Sequence, residues 1–423
     1  MEKILILNTI LYLFAILFFS IKLKKNNLQI IIILWYCFIS ICGVFAIHSK
    51  VYFNIYGFNG LPDNSMSAFV YVFILFYILT VPLSNITTNN SLYINNQYFI
   101  LPKIIFKVIM FVIISYFFLK LYEFQRVLSM NFGDIYSQLH EEGKAIITYS
   151  NPFVLKLSTS GYMIYNALFP FIVYYLLTKI LNNKRNKYDY IFLAIVLLIK
   201  IFESVSSASR GGLVLSLFDY FFFIYIFWQS FNHKLKVSII TIAVGSIVLI
   251  LMTLITITGD RVGTDSEYIF NSFTLYLGET FPNIPYRYWD HITYHPMGER
   301  LFGLRDYGSL GNFFNYWDSK LHVETACFKS LPIDLYIEFG KVGAFIFLII
   351  LSFVFKKIIG VKGLNIWSIG LIFWYYQLCI AGAFSFSKRG ETNYKILLLI
   401  IIFSIYLYFH KQNILNNDAK HKQ

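Results

Sequence analysis

The sequence predicts an all-α polytopic membrane bundle of about eleven transmembrane helices, with one large extracytoplasmic loop containing short helices. Three observations predict it. Hydrophobic residues make up 57% of the 423 positions and charged residues only 13%, which is outside the range of soluble globular domains. Apolar runs of about 18–25 residues recur from end to end, each long enough to cross ~30 Å of hydrocarbon as a helix. The short alternating segments of a membrane β-barrel do not occur.

The runs fall at roughly 4–21, 28–47, 66–83, 104–122, 159–181, 189–205, 211–229, 237–258, 333–355, 365–386 and 395–409. The first run precedes its positive charge, "KLKK", and lacks a small-residue cleavage site. It therefore reads as a retained helix with a short outside tail, not a signal peptide. Lysine orients the others. "KLKKNN" (22–27), "KILNNKRNK" (179–187), "NHKLK" (232–236), "KKIIGVK" (356–362) and the tail after 410 fall on one side if eleven helices alternate. Positive segments favour the cytoplasm, so the outside loops are 48–65, 123–158, 204–211, 259–332 and 387–394. The whole chain, 1–423, reads as a single integral membrane domain, and 259–332 is its longest loop. The net charge of +13 fits lysines beside anionic headgroups, which makes membrane lipids a partner and nucleic acid none. Cys37, Cys42, Cys327 and Cys379 show no framework spacing and read as free thiols.

Arginine runs against lysine. Of Arg126, Arg185, Arg210, Arg261, Arg287, Arg300, Arg305 and Arg389, only Arg185 is expected on the cytoplasmic side. A planar guanidinium grips phosphate or carboxylate in a bidentate way that an ammonium cannot, so this bias points to an anionic ligand at the outer face. Arg210 sits at the tip of a short hairpin, "SSASRGGLV" (206–214). On a helix through 200–210 it shares a face with Lys200, Glu203 and Ser207. That stripe reads either as an interhelical network pairing Lys200 with Glu203, or as the wall of an outward-opening cavity. Asp219 is a buried partner candidate. Gly211 and Gly212 allow close approach of backbone or ligand.

In the large loop, 267–281 places Ile269, Phe273, Tyr276 and Leu277 on one helical face and Asn271, Thr274 and Gly278 on another. This suits a helix on the membrane surface or packed over the bundle. Tyr286, Tyr288, Trp289, Tyr294, Tyr307, Tyr316 and Trp317 follow, either as a sugar-binding surface or as an interfacial aromatic belt. His291 and His295 are four apart, but Pro296 follows and no third ligand stands at a suitable spacing, so no metal is expected. No phosphate-binding glycine loop occurs, and no cofactor is expected. "LPIDLYIEFGKVGAF" (331–345) puts Asp334 and Glu338 on one face. They read as an acidic pair at a helix N-terminus or as a general base for a sugar hydroxyl. Gly340 and Gly343 permit close helix packing.

Together, the helix number, the late large loop, "SRGG" at the hairpin tip and "DLYIEFGKVG" entering the next helix resemble the O-antigen polymerase family of oligosaccharide repeat-unit polymerases. Arg300–Gly311 and Arg287–Gly298 match the family's arginine–ten residues–glycine spacing. Glu338, Gly340 and Gly343 match the E-x-G-x-x-G ending of the related O-antigen ligases, whose preceding histidine has no near counterpart here. The resemblance implies a metal-independent glycosyltransferase of the bacterial inner membrane. Its substrates would be undecaprenyl-pyrophosphate-linked oligosaccharide donor and acceptor, with a chain-length regulator as a candidate protein partner.

On that reading fixed cations stabilise the leaving pyrophosphate. Arg210 with Arg300 or Arg305 would form the clamp, with Arg261 and Arg389 as further members. Glu338, Asp334, His291 and Glu299 are candidate bases. Arg287, Tyr288 and Trp289 would contact substrate. The alternatives are a transporter or flippase of the same lipid-linked unit, an O-antigen ligase, and a membrane acyltransferase. No internal repeat favours the transporter, and no histidine well inside a span favours the acyltransferase.

Overall fold

The computed structural model describes residues 2–23, 27–57, 65–87, 102–130, 151–181, 186–207, 209–241, 245, 248, 252, 255–256, 266–302, 310–325, 327–360, 364, 366–386 and 390–420. Among them there is no β-strand. The sole extended pairing is a bridge between Asn27 and Thr87. The helices are α1 (Glu2–Leu23), α2 (Leu28–His48), α3 (Val51–Tyr56), α4 (Ser65–Thr80), α5 (Lys103–Val127), α6 (Pro152–Leu181), α7 (Lys187–Ser206), α8 (Arg210–Phe227), α9 (Ser266–Gly278), α10 (Thr280–Asn283), α11 (Glu299–Phe302), α12 (Leu310–Leu321), α13 (Leu331–Ile359), α14 (Ile366–Ala381) and α15 (Glu391–Lys420).

Seven described segments are long and apolar enough to cross a membrane: Leu28–His48, Ser65–Asn85, Ile104–Val127, Pro152–Leu181, Gly211–Ser230, Leu331–Ile359 and Glu391–His410. This is the pattern of a multi-pass membrane protein. Of the other expected spans, Lys3–Phe18 and Trp367–Ala381 are shorter apolar helices. The run at 189–205 forms α7 but carries Asp189, Lys200 and Glu203, and 237–258 falls largely outside the described residues. The outward faces are apolar, as a lipid solvent requires. In α1, Leu13, Phe14, Leu17 and Ile21 are exposed, and in α13 Val342, Ile346, Ile350 and Phe353 are.

The chain forms two compact units, each assembled from separate stretches of sequence. The first comprises Met1–Thr87, Ile255–Gly360 and Tyr376–Glu391. Here α1 and α2 are joined by polar side chains turned inward. Asn8 donates to the Ser40 hydroxyl at 2.7 Å, and Thr9 lies 2.8 Å from the same oxygen. Trp35 and Tyr36 donate to the backbone carbonyls of Ile380 and Cys379. Buried polar groups must find partners where no water competes, so these bonds fix helix register.

Helix α9 packs on α2 where Gly278 meets Gly43 and Phe270 meets Phe45, while Tyr276 packs on Phe328 and Phe384. Thr274 and Gly278 are buried, and Thr274 satisfies its hydroxyl on the Phe270 carbonyl. Gly43 and Gly278 meet backbone to backbone: a Cβ at Gly43 would stand 2.9 Å from the Gly278 oxygen. Gly43→Ala is expected to push the helices apart by a few tenths of an ångström and cost about 1 kcal/mol. Thermal denaturation in detergent would read this as a lower midpoint. An unchanged midpoint would show that α9 does not seat on α2.

The second unit comprises Thr88–Leu254, Val361–Tyr375 and Thr392–Gln423. Phe169, Phe222, Phe223 and Phe373 form its aromatic centre. The expected stripe is assembled differently from the Lys200–Glu203 pairing. Lys200 reaches across to α8, where Asp219 lies 3.1 Å away, and donates to Asn166 of α6 at 2.9 Å. Glu203 instead accepts from Tyr116 of α5 at 2.6 Å. Each buried charge thereby gains a partner on another helix, which a bond along α7 would not supply.

Candidate functional site at a broken helix

The expected ninth span is not one helix. At Gly340 of α13, φ is 70° and ψ is −179°, a conformation essentially confined to glycine. The hydrogen-bond ladder breaks there. The Ile337 carbonyl lies 2.9 Å from His295 Nδ1, and the Glu338 carbonyl accepts from Met297 N at 2.9 Å. The two halves differ in character. Every residue from Leu331 to Glu338 is buried, whereas the half after Gly340 presents Val342, Ile346, Ile350 and Phe353 outward. Gly340 therefore acts as a break and not as a packing glycine.

The buried half carries charge. Arg300, at the second residue of α11, places Nη2 2.9 Å from Asp334 Oδ1 and Nε 2.7 Å from Glu338 Oε1, with all three side chains at most 1% exposed. The second oxygens are also occupied. Phe386 N donates to Asp334 Oδ2 at 2.7 Å, and Gly298 N donates to Glu338 Oε2 at 3.0 Å. Lys329 is buried beside them, 3.9 Å from Asp334 Oδ1, and donates to the carbonyls of Thr325 and Cys327. Two cations thus face two carboxylates among buried side chains. Burial works against the Arg300 charge, but Asp334 and Glu338 outweigh it, so its pKa is raised. The start of α13 is pinned as well, with Lys329 N, Ser330 N and Leu331 N donating to the Phe384 and Gly382 carbonyls.

This geometry joins three of the expected site residues, Arg300, Asp334 and Glu338, and ties them to one another. The acidic pair does not stand open at a helix mouth. It clamps segment 295–302 onto the first half of α13.

A second cluster lies where α3 meets the segment after α9. Arg287 Nε donates to Asn283 Oδ1 at 3.1 Å, its Nη1 is paired with Glu324, and its guanidinium sits 4.5 Å from the Tyr56 ring centroid. Tyr52 donates to the same Asn283 oxygen at 2.9 Å, and Asn283 Nδ2 donates to the Phe328 carbonyl. The Tyr52 ring lies 5.0 Å from Tyr56 and 5.7 Å from Tyr286. Tyr56 donates to Glu279 Oε2 at 2.6 Å. Burial pushes the Glu279 carboxyl up, against the Tyr56 hydroxyl and the Phe328 N–H. Burial also raises the Cys327 thiol to about 12, so it is not a thiolate at neutral pH.

Tyr288 is buried and donates to the Glu324 carbonyl at 2.8 Å. Trp289 is stacked in a cage: Tyr71 lies 5.1 Å and Tyr336 5.4 Å from its ring, and Lys341 Nζ lies 4.3 Å above it. His291 is exposed on the following turn, and Glu299 is half-buried at the start of α11. Arg210 opens α8 in the second unit, where Ser209 caps the helix by accepting from Gly212 N. Its side chain, and Arg261, Arg305 and Arg389 entirely, lie outside the described residues.

Lys329, Asn283, Glu279, Tyr52 and Tyr56 were not singled out by sequence. Tyr52 and Tyr56 reach Asn283 and Glu279 across more than 220 residues, which no local pattern encodes. Among the described residues no group of three His, Cys, Asp or Glu side chains could hold a metal ion. No protein-family model, no curated protein and no solved structure matches this chain.

Proposed function

We propose that this chain is a membrane glycosyltransferase that polymerises undecaprenyl-pyrophosphate-linked oligosaccharide repeat units at the outer face of the bacterial inner membrane. The observation that carries the reading is the charged, aromatic segment 279–302 locked by Arg300, Asp334 and Glu338 onto a broken membrane-length helix. Such a segment is an aromatic platform held rigidly at the end of a membrane-length helix, where a glycan on a membrane lipid would have to be positioned. Segments expected on one side also pack together. Residues 51–56, from one expected outside loop, contact 279–287, from another. In this reading Arg300 positions the loop, and Arg261, Arg305 and Arg389 are the cations proposed for the leaving pyrophosphate. Arg287 contacts sugar, the enclosed Trp289 supports the segment from below, and a chain-length regulator remains a candidate partner.

A second reading is a flippase for the same lipid-linked unit. The break at Gly340 favours it, because discontinuous helices build the binding sites of many transporters. The surface polysaccharide of a strain lacking the gene separates the two. Lipid A core capped by a single repeat, with the ladder restored by the wild-type gene, is the result expected of a polymerase. Uncapped core would point to a flippase or a ligase, and an unchanged ladder would overturn the glycan reading.

A further inference from the structure

The buried pair at α13 leaves the acceptor hydroxyl without a base. Both oxygens of Asp334 and of Glu338 are engaged, and neither side chain meets solvent. A general base must come within about 2.6–3.2 Å of the hydroxyl it deprotonates. Among the other described carboxylates of 279–338, Asp290 is paired with Lys341, Glu324 with Arg287, and Asp318 accepts from Thr325. Glu299 begins α11 beside the buried Arg300. Glu279 is half-buried, accepts from the Tyr56 hydroxyl and the Phe328 N–H, and lies beside the Arg287 guanidinium that stacks on the Tyr56 ring.

We propose that Glu279 is the general base of the glycosyl transfer, in an acceptor-sugar subsite built by Tyr56, Tyr286 and Arg287 and backed by the buried Tyr52. The assignment rests on the glycosyltransferase reading. Glu279 takes the proton of the acceptor hydroxyl as that oxygen bonds to the anomeric carbon of the donor. The bond from that carbon to the pyrophosphate oxygen breaks, and the lipid pyrophosphate leaves with its electron pair. The half-buried Tyr56 and Tyr286 rings supply the aromatic surface for a pyranose, which stacks on such surfaces without needing charge. Asn283 holds Tyr52 and Arg287 through one oxygen, so the subsite is preorganised.

The surroundings also suit a base. Glu279 joins α9 to α10, and burial raises its carboxyl above the ordinary value. The titratable and charged groups that face it are Tyr56 on α3, Arg287 after α10, and Glu324 and Cys327 in the following segment. The Tyr56 hydroxyl donates to the carboxylate and so favours its ionised form. Its loss raises the pKa of the base.

The test uses the full chain in lipid vesicles, supplied with undecaprenyl-pyrophosphate-linked repeat units from the source strain, with polymer formation followed against pH. Glu279→Gln is expected to lower the rate by roughly a hundredfold or more. Tyr56→Phe is expected to move the acid limb of the rate profile to higher pH, a shift that a purely structural tyrosine would not cause. A Glu279→Gln protein polymerising at the wild-type rate overturns the assignment. So does an acid limb that stays in place in Tyr56→Phe, which also decides the matter if Glu279→Gln does not fold. Wild-type protein that forms no polymer overturns the glycosyltransferase reading itself.

Discussion

Arg300→Ala is expected to destabilise the protein by about 3–5 kcal/mol, the cost of removing one partner from a buried ion pair. The change strands two carboxylates, Asp334 and Glu338, which meet the guanidinium at 2.9 and 2.7 Å in a site closed to solvent. Lys329 cannot take over, because its Nζ lies 3.9 Å from Asp334 and is committed to two carbonyls. Arg300→Lys should recover little, since one ammonium cannot reproduce a fork that spans both carboxylates. The informative rescue is Arg300→Met combined with Asp334→Asn and Glu338→Gln, which removes the stranded charges. Melting in detergent should place this triple variant above Arg300→Ala. A single alanine variant as stable as wild type would mean that the cluster is not buried in solution.

Gly340→Ala is the second large effect, up to about 3 kcal/mol for a side chain forced into a backbone region that glycine alone occupies readily. Its Cβ would also stand 3.1 Å from His295 Nε2. Relaxing toward a continuous helix would recover the Ile337 and Glu338 carbonyls for the ladder, but His295 and Met297 would then lose their acceptors. Segment 290–298 should consequently loosen, and limited proteolysis should cut it faster in the variant. Equal cleavage rates would show that the break does not hold the segment.

Much of the helical frame was legible in the sequence, because spanning hydrocarbon requires long apolar runs with satisfied backbones. Seven of the expected spans are helices that meet that requirement. The run at 189–205 was legible as a helix, but its polar partners were not. Lys200 could equally have bonded Glu203 along the helix or Asp219 across it, and only packing set the choice. The site divides in the same way. "DLYIEFGKVG" marked Asp334 and Glu338 as neighbours on one face, since four residues make about one helical turn. Nothing local could say that Arg300 would close over them, nor that Gly340 was a break rather than a packing glycine.

By itself, then, the sequence determined an all-helical chain with membrane-length apolar helices and an excess of positive charge. Tertiary structure alone decided which charges neutralise one another, that Tyr56 meets Glu279, and where the helix breaks. The reason is physical. Hydrophobic length is a local property that a lipid solvent reads directly, whereas the pairing of buried charges depends on the path of chain segments hundreds of residues apart.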